Sequence, residues 1–271
     1  MSLPPHDSPG GPTPLPELLA GNALDPGQGL VAQIQRRLEE LIVSVRILPG
    51  QRISEKEVSE CLGASKTPVR EALIGLQGAG LVSVIPKSGT YVTPIRISGY
   101  LEACFVRLQL EIGAVRRAAE RHENGILLAE LDTLLERQAE ALADDDDARF
   151  FLLDEALHEG FFRMAGVPGA WSVLKRTQSE TLRIRHLKRL HRIRRVDRVL
   201  ADHRDIVRAI GAGDPDAAQQ ALVRHIGSLD RELERLAEHP GLMAFIEGQM
   251  PPGTHARPHA RTPAPERRPG G

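Results

Sequence analysis

Asp154, His158, His203 and His225 are the side chains in this 271-residue chain whose types and placement suit metal coordination. Asp154 and His158 are four apart, so on a helix they share one face, and that face also carries Phe151 and Phe161. His203 shares its helical face with Val207 and Ile210. His225 interrupts a stripe of Ala218, Leu222, Leu229, Leu233 and Leu236. A carboxylate or imidazole turned into a core without a partner is destabilising by roughly several kcal/mol, so each must be hydrogen-bonded, ion-paired or bound to a cation. One Asp and three His converging in a core would hold a divalent transition metal such as zinc, nickel, iron or manganese. Taken singly, each histidine reads equally well as a hydrogen-bonded core residue, and Asp154 with His158 as a helix-surface pair.

A second group of side chains is cationic. In Ser65-Lys66-Thr67-Pro68-Val69-Arg70-Glu71-Ala72-Leu73, Thr67 is placed to cap a helix, Pro68 suits the first helical position and Gly80 supplies the stop. Val69, Ala72, Leu73 and Leu76 make one apolar face, leaving Ser65, Lys66 and Arg70 together at the exposed N-terminal end. Cations in a first turn are disfavoured by roughly 0.3–1 kcal/mol, so two there imply an approaching anion. DNA phosphates and guanine edges are such anions.

The elements that must position these groups are legible around them. Ser54-Glu55-Lys56-Glu57 forms a capping box that starts a helix ending near Gly63, and a three-residue turn leads to the cationic helix. Leu81–Val84 and Thr90–Thr93 are β-prone runs flanking Pro86-Lys87-Ser88-Gly89, a hairpin with a small cationic tip. Leu30, Ile34, Leu38, Leu41 and Val45 stripe a preceding helix.

Residues 28–95 thus resemble the winged-helix domain of the GntR family of bacterial transcription regulators. The resemblance is carried by Leu48-Pro49-Gly50, Ile53-Ser54-Glu55, Leu62-Gly63, Thr67 to Leu73, Gly80-Leu81-Val82 and Gly89-Thr90-Tyr91-Val92. It implies a DNA-contacting set of Lys56, Ser65, Lys66, Thr67, Arg70, Lys87, Ser88 and Gly89. Where the family usually has Arg, Lys56 and Lys66 offer a point charge rather than a planar fork, so base preference is expected to differ.

From about residue 98 onward the periodicity is helical, broken at Asn124-Gly125, Asp144 to Asp147, Val167-Pro168-Gly169 and Gly211 to Pro215. Six or more antiparallel helices are expected. Leu101, Phe105, Leu108 and Ile112 stripe the first, Leu127, Leu131, Leu134 and Leu135 the second, and Leu153, Leu157, Phe161 and Met164 the third. Residues 99–236 resemble the FCD ligand-sensing domain of the FadR subfamily, through Arg107 to Glu111, Asp154 to His158, His203 with Ile206, Ala209-Ile210, Gly213-Asp214, and Ala217 ahead of His225.

That resemblance implies that Asp154, His158, His203 and His225 are the metal ligands, and that open coordination positions take a small carboxylate effector. Arg107 would hold an anionic effector through a bidentate contact; as a plain helix pair it would instead bind Glu111. Val167 stands where the family often has Asn. Arg183 and Arg185 could also face the cavity, but the run through Lys188, Arg189, Arg192, Arg194, Arg195 and Arg198 reads more simply as a solvated basic face.

Composition agrees with a mainly α protein: 41% of residues are hydrophobic but only 3% aromatic, which disfavours sheets built on aromatic pairs. The expected architecture is an N-terminal winged helix-turn-helix domain, residues 28–95, and a C-terminal antiparallel all-α bundle, residues 96–239. Residues 1–27 hold seven of the 20 prolines and residues 240–271 another seven, so both are expected as disordered tails. The net charge of −1 says nothing against DNA binding, because acidic and basic runs are segregated. Two cysteines, Cys61 and Cys104, give no disulfide framework, and no signal-like or membrane-spanning run is present, so a cytoplasmic protein is expected.

Together these features predict a homodimeric DNA-binding regulator, a repressor, that reads a palindromic operator and responds to a metal-bound organic acid. A metal-independent acyl sensor is the alternative within the same subfamily. A hydrolase using the metal with Glu155 or Asp154 as base is disfavoured, because no independent catalytic motif accompanies it.

Overall fold

In the computed structural model, the residues described are 13–21, 24, 25, 27–191, 196–227, 233, 234 and 236–248. The apolar stripe of Ile34, Leu38 and Leu41 forms the buried side of α2 (Leu30–Val43). Strand β1 (Arg52–Ile53), α3 (Glu55–Leu62), α4 (Lys66–Gly78), β2 (Val82–Ile85) and β3 (Gly89–Val92) complete a winged helix, with antiparallel sheet order β1-β3-β2. Ser54 Oγ accepts from Glu57 N–H at 3.3 Å, as the capping box requires, and Gly63 ends α3 in the left-handed conformation at φ 62°.

Helix α4 begins earlier than its sequence suggests. Ser65 is the cap residue, Thr67 lies inside the first turn rather than capping it, and no side chain caps this end. Pro68 is then the third helical residue, where its missing N–H still removes no intrahelical bond. The hairpin strands are also displaced by one residue from the β-prone runs, and β1 pairs Arg52 with Tyr91 and Ile53 with Thr90. Gly89 has φ 136°, and a Cβ there would lie 2.8 Å from Arg52 Nε, so the wing needs glycine at this point.

The bundle consists of α5 (Ile97–Glu120), α6 (Gly125–Ala143), α7 (Asp147–Met164), α8 (Pro168–Lys175), α9 (Ser179–Leu190), α10 (Val196–Gly211) and α11 (Pro215–Ile226). Side-chain caps mark three of the expected breaks: Asn124 accepts from Leu127 N–H, Asp146 from Arg149 N–H and Asp214 from Ala217 N–H. One apolar core, including Val115, Leu131, Leu157, Phe161, Ile206, Ile210 and Leu222, joins α5, α6, α7, α10 and α11.

The α7 stripe is buried as predicted, but the α5 stripe is not: Phe105 is 51% exposed, and the inward face carries Cys104, Arg107, Glu111 and Val115. A polar pair on the buried face defeats a pattern search that follows apolar residues. The stripe through His225 is also broken, because Gly227 at φ 90° follows the last turn of α11. Leu233 is exposed and Leu236 packs elsewhere, while Leu229 lies outside the described residues.

Two segments assigned to disordered tails contain structure. Helix α1 (Leu15–Leu19), with Pro16 in its first turn, buries Leu15, Leu18 and Leu19 in the winged-helix core. Helix α12 (Pro240–Gly248) buries Leu242 and Ile246 in a cluster with Val45, Ile95, Tyr100, Ile184, Leu187 and Leu236. The remaining tail residues, 1–12 and 249–271, lie outside the described residues. The same cluster joins the two domains through α9, whose Leu182 also packs against the winged-helix core. Among the described residues no helix is long and apolar enough to cross a membrane.

Candidate metal centre and DNA interface

Asp154 and His158 come from consecutive turns of α7, His203 from α10 and His225 from the last turn of α11. Each offers one ligand atom, and these atoms all lie within 4.8 Å of one another. His203 Nε2 is 3.3 Å from His225 Nε2 and 3.4 Å from Asp154 Oδ1, and His158 Nε2 is 3.9 Å from that same oxygen. Ligands about 2.1 Å from a common ion lie roughly 3 to 4 Å apart, so the cluster has nearly the dimensions of a coordination shell.

The far side of each imidazole explains why the Nε2 atoms face inward. His158 Nδ1 donates to Glu111 Oε2 at 2.5 Å and His203 Nδ1 to Gln138 Oε1 at 3.0 Å, while His225 Nδ1 faces Asp202 Oδ2 at 3.9 Å. With protons on Nδ1 of His158 and His203, their Nε2 lone pairs turn to the centre, the arrangement that fixes a histidine as a metal ligand. His203 Nε2 and His225 Nε2 meet at 3.3 Å, and buried Asp154 Oδ1 beside them has no hydrogen-bond partner. A cation would satisfy that oxygen and draw on the same imidazoles, so the residues fit the ion their types suggested.

Electrostatics keep the set ready to coordinate. Burial lowers the pKa of His203 well below 6.5, helped by His225, and burial also lowers that of His225, so both imidazoles are neutral at physiological pH. Burial opposes ionisation of Asp154, but Arg185 above all holds it well below the ordinary carboxylate range. Burial opposes Glu111 in the same way, and Arg107 and His158 bring it down to about 2.

Arg107 is buried at this centre. It donates from Nε to Glu111 Oε1 at 2.7 Å, the expected helix pair, and its Nη2 also lies 3.0 Å from His158 Nε2. Arg185, which the sequence left between the cavity and a solvated face, donates from Nη2 to Asp154 Oδ2 at 2.6 Å and lies over the Phe151 ring at 4.9 Å. Arg183 is also buried, but it points the other way: its Nη1 and Nη2 donate to the Thr93 carbonyl at 3.0 and 3.1 Å, just beyond β3 of the winged helix. One helix, α9, therefore touches both the Asp/His cluster and the domain that carries the cationic surface.

Gln138 and Asp202 are parts of the centre that sequence reasoning left out, and Glu111 entered it only as the helix partner of Arg107. Gln138 had a readable signal, since it continues the α6 stripe of Leu131 and Leu135 at helical spacing. Val167 holds the cap position of α8 with no side-chain hydrogen bond and is exposed.

In the other domain Ser65, Lys66, Thr67 and Arg70 are exposed at the start of α4, and Lys87 and Ser88 at the wing tip beside the half-buried Gly89. Lys56 is exposed on α3, 3.8 Å from Glu60. Arg70 is not an unpaired cation as its sequence position implied, because Glu55 receives its Nε and Nη2 at 3.2 and 2.9 Å. Arg52, on β1 beside Gly89, adds a cation at the wing that the sequence pattern did not single out.

A winged helix joined to a helical bundle with a polar, cation-suited centre defines a DNA-binding regulator with a separate all-helical domain. Residues 30–92 match the family described as "Bacterial regulatory proteins, gntR family", and residues 102–228 match the FCD domain. An uncharacterised HTH-type transcriptional regulator from an unstable DNA locus of Streptomyces ambofaciens is 32% identical, over 80% of this chain and 91% of that protein. The HTH-type transcriptional repressor RspR of Escherichia coli K12 is 30% identical, over 79% of this chain and 93% of its own. Among solved structures, E. coli McbR/YncC superposes with a TM-score of 0.64 at 22% identity, covering 79% of this chain and 99% of that one. The chain belongs to the GntR family of transcriptional regulators, with an FCD domain as its C-terminal half. This is a family of DNA-binding regulators and not of enzymes.

Proposed function

We propose that the protein is a cytoplasmic, homodimeric repressor whose affinity for a palindromic operator is set by a divalent transition metal and a small organic acid at the Asp/His centre. The observation that carries this reading is the convergence of Asp154, His158, His203 and His225 beside two buried or half-buried arginines. Arg107 and Arg185 balance Asp154 and Glu111 in charge. A bound divalent ion supplies a buried positive charge with coordination positions left open. An organic anion offsets that surplus, which favours a carboxylate effector over an uncharged acyl ligand.

The chain's own residues then do the sensing. Arg107 and Arg185 are the groups placed to bind an effector carboxylate, and either must loosen its present partner to do so. Arg185 sits on α9, two residues from Arg183, so a change at Asp154 is felt on the helix bonded to Thr93. An effector that favours one arrangement of α9 shifts the population of DNA-competent dimers. Lys56, Ser65, Lys66, Thr67, Arg70, Lys87, Ser88 and Gly89 form the operator-facing set, with dimer symmetry matching that of the palindrome.

Native mass spectrometry of the full chain, with and without chelator, tests the ion, the acid and the dimer together. The expected spectrum shows a dimer with one ion per chain that chelator removes, and a double variant His203→Ala, His225→Ala without the ion. Protein that never carries an ion, or a double variant that retains it, overturns the proposed centre.

A further inference from the structure

We propose that Glu55 is a positioning residue for DNA recognition: it holds the Arg70 guanidinium as a fork aimed at a base edge and so sets specificity at that base pair. The inference rests on the reading of Arg70 as an operator contact. Glu55 opens α3 and Arg70 lies early in α4, so the pair closes across the turn of the helix-turn-helix. Arg70 Nε donates to Oε1 at 3.2 Å and Nη2 to Oε2 at 2.9 Å.

A guanidinium carries five N–H donors in one plane, and this side-on contact uses two of them. The N–H pair at the Nη1–Nη2 end stays free and parallel, the shape that takes guanine O6 and N7 together. Exposure agrees with that direction: the Arg70 side chain is 65% exposed and the Glu55 side chain 31%, so the carboxylate stands behind and the fork in front.

A structural role does not account for the pair. An ion pair this exposed contributes little to folding, and the favourable charge at the start of α3 is already supplied by Glu57. A carboxylate near a phosphate surface also weakens sequence-independent attraction, since it cancels the charge of Arg70. What it gives in return is order: a side chain fixed before binding loses less freedom on contact. The pair therefore exchanges general attraction to DNA for discrimination between bases.

The test uses the full-length wild type, Glu55→Gln, Glu55→Ala, Arg70→Ala and the Glu55→Ala, Arg70→Ala double variant. Each selects duplexes from a randomised DNA library, and Kd is then measured for the wild-type-selected duplex and a scrambled one at two salt concentrations. Unchanged thermal midpoints establish that the variants fold. The expected result is that Arg70→Ala erases the preference at one base pair per half-site. Both Glu55 variants then weaken it about ten-fold at that same pair. Glu55→Ala binds the scrambled duplex at least as tightly as wild type with a steeper salt dependence, and in the Arg70→Ala background it changes nothing further at that base pair.

An unaltered preference in both Glu55 variants overturns the proposal, as does a loss at a different base pair, which would mark Glu55 as itself reading cytosine. Effects that add in the double variant overturn it too. If Arg70→Ala leaves every base preference intact, the operator contact of Arg70 fails first and the role of Glu55 with it, a pattern distinct from silence at Glu55 alone.

Discussion

His186 is a residue whose surroundings decide its charge. Burial, then Arg189 and Arg185, lower its pKa from 6.5 to about 4, and Arg189 Nη2 donates to its Nδ1 at 2.8 Å, which requires a neutral ring. The ring lies 5.8 Å from Phe151, the same ring that carries the guanidinium of Arg185, so His186 belongs to the packing around the Arg185–Asp154 bond. Its folded pKa is below its unfolded one. As pH falls from 6.5 toward 4 the unfolded chain takes up a proton that the folded chain refuses, so stability present above that window is lost within it. His203 and His225 act in the same direction. His186→Gln should remove about 1 to 2 kcal/mol of the loss between roughly pH 7 and pH 5, after allowance for partial exposure. Urea denaturation in the presence of chelator, which keeps ion binding out of the comparison, measures it. A variant that loses as much stability as wild type would show that His186 has no part in acid sensitivity.

Helix α12 poses a different question, because it adds nine residues at an edge and buries only Leu242 and Ile246 deeply. Each such side chain is worth about 1.5 to 3 kcal/mol when buried, enough to dock a short helix but little beyond. Leu242→Ala should therefore detach α12 rather than unfold the protein, and hydrogen exchange should show α12 amides unprotected while those of α7 stay as in wild type. A uniform fall in protection across both helices would instead make α12 part of the cooperative core. This helix also shows where the sequence stopped being readable. Pro240 and the prolines beyond it set the composition of the whole segment, whereas α12 depends on an interdomain surface that no local pattern announces. Helix α1 escaped because the prolines around it set the composition of its segment too, although its leucines pack into the winged-helix core. Regular periodicity made α2, α6 and α7 legible, and Asp154, His158 and His203 stood out because they break apolar stripes. Arg107 and Glu111 did not, since a buried pair four apart has the same spacing as a surface one. Strand β1 is only two residues long, too short for alternation to register.

At the scale of the whole molecule the two halves are joined through α9, with Arg185 on Asp154 and Arg183 on the carbonyl of Thr93. If occupancy of the centre alters operator affinity through this helix, linkage demands the converse: operator must alter ion affinity by the same factor. Coupling of this kind is typically about 5- to 150-fold. The expected outcome is that chelation shifts the Kd of the full chain for a selected duplex within that range, and that saturating duplex shifts the Kd of the ion equally. Arg183→Gln keeps the Asp/His centre intact but gives up the guanidinium that grips Thr93, so it should bind the ion as wild type does while both shifts shrink toward one. Equal shrinkage is the informative feature, because damage to the winged helix alone would lower operator affinity and leave the ratio of the two ion states unchanged. Removal of the ion with no change in operator affinity would make the centre a purely structural site and remove the sensor from the account.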